Sequence, residues 1–184
     1  MVYCFLADGF EEVEALAPVD MLRRAGVDVK TVGVYQENIT GSHSITVHCD
    51  TTANKLSLGD EIEAIILPGG MLGTRNLEAS PVVQAVIDHC VSAGKYVCAI
   101  CAAPSILGHK GLLSGKEAIA FPGFEDDLKG AKISDKHVAK DGLFITAKGA
   151  GVAIDFGLEI VSALRGEETA QKIRSSIQCL NYEQ

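Results

Sequence analysis

Apolar runs of strand length alternate with amphipathic stretches of helix length along almost the whole chain, and this alternation restricts the fold more than any other feature. "VYCFLA" (2–7) reads as a strand enclosed on both faces. "GFEEVEALAPVDMLRRAG" (9–26) reads as the next helix, with Val13, Ala17, Met21 and Ala25 recurring every fourth residue and Gly26 ending it. A second strand follows at 27–34, and a shorter one at 44–50 suits an edge or a hairpin. "EAIILPGG" (63–70) is a strand running into a glycine turn. The segment 80–94 is a helix with Ser80 at its N-cap and Pro81 at its first helical position. "YVCAIC" (96–101) is the next strand, 103–113 a helix, 116–123 a strand, and 137–147 a hairpin around Asp141-Gly142. Two helices close the chain, near 149–164 and 167–178. Strands separated by helices of this length predict an α/β fold, a mainly parallel sheet covered on both faces. No repeat, low-complexity tract or linker interrupts the pattern, so residues 1–184 read as one domain.

Charge and cysteine usage narrow the setting. The 184 residues carry a net charge of −8, which argues against nucleic acid or an anionic membrane as the partner. No run reaches the roughly 18 apolar residues that span a bilayer. The opening "MVYCFLADGFEE" has no basic segment and turns acidic at once, unlike a secretory leader. The six cysteines, Cys4, Cys49, Cys90, Cys98, Cys101 and Cys179, are scattered rather than spaced as a disulfide framework. A cytoplasmic location with reduced thiols is expected.

In a parallel sheet the ligand sits beyond the carboxyl ends of the strands. Three turns therefore matter: Ala7–Glu12, Pro68–Gly73 and Ile100–Pro104. They carry an acidic cluster, a Pro-Gly-Gly and a cysteine, respectively. Cys101 stands where a strand stops and a helix starts, among the small residues Ala99, Ala102 and Ala103. A sharp turn there would expose a nucleophile, and helix N–H groups would favour its thiolate. A buried strand-end cysteine is the plain alternative. Cys98 completes a C-x-x-C but lies inside the apolar run, so it reads as packing rather than as a redox partner. Zinc would need a second ligand pair at suitable spacing.

The five histidines, His43, His48, His89, His109 and His137, show no placement at a strand end. Glu11 and Glu12 read as first-turn acids complementing the helix dipole. Glu14 lies beside the apolar stripe and points inward on this reading. Burial would keep its proton and the helix N-terminus would favour its anion.

Taken in order, "ADGFEEVEALAPVDMLRRAG", "LPGGMLGTRNL" and "AICAAPSIL" resemble the ThiJ/PfpI superfamily, in the branch of the Parkinson-disease-associated protein deglycase. "KDGLFITAKGAGVAIDFGLEIV" and the closing helix extend the resemblance over nearly the whole chain. It implies a flavodoxin-like three-layer sandwich and a homodimer. The family's reactive cysteine falls on Cys101, and its protonated glutamate falls on Glu14. The backbone N–H groups of its anion pocket fall on Gly70 and Ala102. Two positions depart from related proteins. Phe121 stands where human-type members carry a histidine, which removes a histidine-assisted step. Ala102 stands where the protease branch has a histidine after the cysteine, which argues against peptidase activity.

The expectation is a cysteine-dependent enzyme acting on small reactive carbonyls such as methylglyoxal, of glyoxalase or deglycase type, with no metal and no organic cofactor. A different class uses the same residues: a non-enzymatic sensor of oxidative stress, or a chaperone, acting through oxidation of Cys101.

Overall fold

The protein is described by a computed structural model covering residues 1–56, 59 and 61–179. Its strands are β1 (Val2–Leu6), β2 (Val29–Gly33), β3 (Asn38–Thr40), β4 (Thr46–His48), β5 (Thr51–Thr52), β6 (Ala64–Leu67), β7 (Tyr96–Ile100), β8 (Glu117–Ala118), β9 (Lys132–Ile133), β10 (Val138–Asp141) and β11 (Phe144–Ala147). The helices are α1 (Glu12–Arg24), α2 (Met71–Ala79), α3 (Pro81–Ser92), α4 (Pro104–His109), α5 (Ala153–Arg165) and α6 (Glu167–Ser176). Seven strands form one sheet in the order β10-β11-β7-β6-β1-β2-β5. Every pairing in it is parallel except the β10–β11 hairpin.

The period of two along each strand divides the interior into two layers. Cys4 and Leu6 of β1, Ile66 of β6, Cys98 and Ile100 of β7 and Ile145 of β11 face α1 and α5, against Leu22, Phe156 and Ile160. Their alternates, Phe5, Ile65, Leu67, Val97 and Ala99, face α3 and α4, against Val86, Ile87, Ile106 and Leu107. Helices on both faces explain why β1 is buried at all five positions and does not alternate with polar residues. On the α1 side the packing is close. A Cβ on Gly157 of α5 would lie 2.8 Å from the Cα of Pro18, so glycine is what lets α5 meet α1 there.

Several elements differ from the sequence reading. The buried face of α1 comprises Glu12, Glu14, Ala15, Pro18, Val19, Met21 and Leu22; of the predicted stripe Met21 is buried and Ala17 and Ala25 pack against the core, whereas Val13 is 51% exposed. Positions four apart on a helix drift about 40° per step, so Val13, at the far end of the stripe, has turned out of the face that Ala17, Met21 and Ala25 share. The predicted 103–113 helix is shortened to α4. A Cβ at Gly108 would lie 2.0 Å from the carbonyl oxygen of Asp127, and Gly111 turns left-handed at φ +72°. The predicted 116–123 strand retains only β8, which pairs with β9 outside the main sheet. The 44–50 run does form a short hairpin strand as expected, β4, whose partner is β3. Helix α2 lacked a clear apolar period, holding Gly73, Thr74 and Asn76, and was not anticipated. Among the described residues no helix is long and apolar enough to cross a membrane.

Candidate active site

β1, β6 and β7 are neighbours and end on the same edge of the sheet, which brings the three turns singled out in the sequence together. At the end of β7 the chain enters α4 through Cys101, whose φ of +65° is left-handed. For a residue with a Cβ that conformation costs about 1–2 kcal/mol. It is held from both sides. The Cys101 N–H donates to the Ala147 carbonyl at 2.9 Å, and the Cys101 carbonyl accepts from the Phe121 N–H at 2.8 Å. The result lifts the side chain off the sheet edge, where it stays half-buried.

Glu14 comes to the same point from the first turn of α1 and is 1% exposed. Its carboxylate accepts from the Gly69 N–H at 2.9 Å and hydrogen-bonds the Cys101 thiol. The missing side chain of Gly69 makes this meeting possible. A Cβ there would lie 2.5 Å from Glu14 Oε2 and 2.6 Å from Cys101 Cβ. The sequence marked the Pro-Gly-Gly turn but not this reason for its first glycine. The next residue, Gly70, is left-handed at φ +87°, and a Cβ on it would lie 2.3 Å from the Gly9 carbonyl oxygen. That conformation lets the Gly70 N–H join the Ala102 N–H in pointing at the Cys101 sulfur.

The two titratable groups act on each other. Burial raises Glu14 from 4.5 to about 7, against the lowering effect of its hydrogen bonds to Cys101 and Gly69. Burial also raises the thiol, and a charged Glu14 beside it adds to the effect, so that it reaches about 12. The N–H groups of Ala102 and Gly70 pull the other way. The thiol is therefore not simply acidified by a helix N-terminus, as its position in the sequence implied. Its first proton is shared with a carboxyl group.

Cys101 lines a cleft of about 900 Å³, with the Glu14 carboxyl buried behind it. One wall is apolar, with Met71, Leu72, Phe121 and Phe124, and the other carries Asp8, Glu11, Ser42 and His43. Glu12 has a role that its position in the sequence did not signal. It is buried, its Oε1 accepts from the His43 N–H at 2.8 Å, and its Oε2 lies 3.0 Å from His43 Nδ1. Burial opposes its ionisation, yet its own backbone N–H, the His43 ring and the N–H groups of His43 and Ile45 win and hold it at about 2. Glu12 thus fastens the β3–β4 hairpin to α1 and shapes one rim of the cleft. Glu11, Glu12 and His43 bring their potential ligand atoms within 4.8 Å of one another. His43 already satisfies Glu12 directly.

The model of the DJ-1/PfpI family matches residues 1–163. The chain belongs to that family. Protein dj-1beta of Drosophila melanogaster is 34% identical over 175 residues, covering 94% of this chain and 93% of the fly protein. A deglycase of Pyrococcus abyssi is 32% identical over 161 residues, covering 86% of this chain and 96% of the archaeal one. Among solved structures, oxidised DJ-1 of Toxoplasma gondii superposes with a TM-score of 0.92 at 31% identity, over 96% of this chain and 97% of the other. The family fold accounts for the convergence of the three turns on one edge. The α/β architecture expected from the alternation of elements is the one observed.

Proposed function

We propose that the chain is a cysteine-dependent enzyme of glyoxalase or deglycase type, converting a 2-oxoaldehyde to a 2-hydroxy acid. The observation that carries this reading is the buried Glu14 carboxyl hydrogen-bonded to the strained Cys101 thiol at the floor of the cleft. The deglycase relative adds support. With the shared proton on Glu14, the Cys101 thiolate adds to the aldehyde carbon. The carbonyl electron pair moves to oxygen, where the Gly70 and Ala102 N–H groups hold it. Glu14 gives up the shared proton to that oxygen, which leaves a hemithioacetal and an ionised Glu14 carboxylate. Glu14 then takes the hydrogen of that carbon as a proton and returns it to the neighbouring carbon through an enediol, leaving the thioester of the 2-hydroxy acid. Water cleaves the thioester and restores the thiol. One carbon is oxidised as the other is reduced, so no outside redox partner enters.

The same reading includes a homodimer, supported by the outward apolar side chains Val13 and Leu16 on α1, which a second copy would cover. Sedimentation as a monomer at micromolar concentration would contradict that part. A reducing compartment such as the cytoplasm suits six free cysteines.

A lactate assay on methylglyoxal tests the chemistry. The wild type should produce lactate, Cys101→Ser none, and Glu14→Gln at least about 10²-fold less, the usual size of a general acid–base effect. A second reading, a redox sensor, draws on the oxidised Toxoplasma relative. Selective peroxide oxidation of Cys101 without carbonyl turnover would favour it.

A further inference from the structure

We infer that the cleft selects neutral 2-oxoaldehydes bearing a bulky apolar or aromatic substituent rather than methylglyoxal itself. The inference rests on the carbonyl chemistry proposed above and adds the substrate class.

Three observations carry it. The cleft holds about 900 Å³, a size that accommodates drug-sized ligands, and a three-carbon aldehyde bound to Cys101 would fill a small part of it. Its wall beyond the sulfur is built from large apolar side chains left open to solvent: Phe121 is 48% exposed, Met71 56% and Leu72 55%. Apolar side chains grouped around a reactive group mark a binding surface rather than chance exposure. Phe121 is also fixed in place. Its N–H is bonded to the carbonyl of Cys101, and its carbonyl accepts from the Phe124 N–H at 3.0 Å, so the backbone that carries the ring is tied to the nucleophile's own residue.

The charge of the cleft completes the description. Asp8 and Glu11 line it, and among the described lining residues there is no lysine or arginine. The basic group present, the His43 ring, is already engaged by Glu12 at 3.0 Å and lies 3.5 Å from Glu11. A phosphorylated or carboxylated aldehyde would meet carboxylates without a free cation to pair with. An uncharged ring or branched chain would instead lie against Phe121, removing apolar surface of both from water.

Steady-state kcat/KM for phenylglyoxal, 4-carboxyphenylglyoxal and methylglyoxal tests this on the wild type, Phe121→Ala and Met71→Ala. Phenylglyoxal should be preferred over methylglyoxal by about 10-fold or more, as expected for a filled apolar pocket, and over its carboxylated form. Phe121→Ala should cut the phenylglyoxal value by about 10-fold and leave methylglyoxal within about 2-fold. Met71→Ala, a change at an exposed position, should move the same ratio in the same direction and guards against misfolding of the first variant. In parallel, 2-hydroxyacetophenone and hydroxyacetone, which lack the aldehyde, are compared as protectants of Cys101 against iodoacetamide. The aromatic ketone should protect better, and less so in Phe121→Ala.

Equal losses for both aldehydes in the variants, or equal protection by the two ketones, would overturn the inference. Absence of all aldehyde turnover with aromatic-selective protection intact would overturn the carbonyl chemistry and leave the apolar selectivity standing.

Discussion

Glu14 and Cys101 share protons, and their behaviour follows from that. Below about 7 both are protonated. Above it the pair carries one negative charge, which can rest on the carboxylate or, with the proton moved to Glu14, on sulfur. Alkylation of Cys101 by iodoacetamide should therefore rise as pH passes through about 7 and then level off. In Glu14→Gln that step should vanish, leaving a thiol that titrates alone. Cys101 should also be labelled first, because Cys4, Cys49, Cys90 and Cys98 are buried. Mass spectrometry finding Cys179, the other partly exposed thiol, modified ahead of it would remove the basis of the site.

Stability carries the same signature. Glu14 is raised from 4.5 in the folded chain, so burial costs nothing below 4.5, where folded and unfolded forms are both protonated. Between 4.5 and about 7 only the unfolded chain ionises and stability falls. The loss over that window is about 3 kcal/mol. Denaturant titrations should show the wild type losing stability relative to Glu14→Gln as pH rises from 4 to 8. Parallel curves would mean that Glu14 is not held protonated.

Among the elements, the β3–β4 hairpin depends on a single carboxylate. Glu12 receives the N–H groups of His43 and Ile45 and the His43 ring, contacts that tie the hairpin to the start of α1. Glu12→Gln should cost about 1.5–3 kcal/mol, the range for hydrogen bonds to a charged group. It should also loosen the rim at Ser42 and His43, which faster amide exchange there would report. The acid sensitivity has the opposite sign to that of Glu14. With its pKa lowered from 4.5 to about 2, the Glu12 contribution is complete above 4.5 and is lost as pH falls toward 2. Rim exchange unchanged in the variant would show that other contacts hold the hairpin. Position in the sequence alone made Glu12 look like any first-turn acid, because its partners lie about thirty residues away in another element.

For the whole molecule, the two-layer core separates cysteines that the sequence places three apart. Cys98 points into the α1–α5 layer with Ile66 and Ile145, fully buried, while Cys101 stands at the sheet edge. Cys98→Ala should cost on the order of 1 kcal/mol in thermal or denaturant unfolding and leave carbonyl turnover near the wild-type rate. Lost turnover in a folded variant would make the C-x-x-C a functional pair. The sequence by itself determined the alternation of strand and helix, hence the parallel sheet with two covered faces, because periodicity and caps are local properties. It also determined that a cysteine, a Pro-Gly-Gly and an acidic turn would end up at strand carboxyl ends. Only the tertiary structure decided which acid meets the thiol. Glu11, Glu12 and Glu14 sit within one turn of helix, and the roll of α1 against α5 turns Glu14 to Cys101 and Glu12 to the hairpin. It alone decided the protonation of that pair as well, since burial and the N–H groups of Gly69, Gly70 and Ala102 arrive from distant parts of the chain.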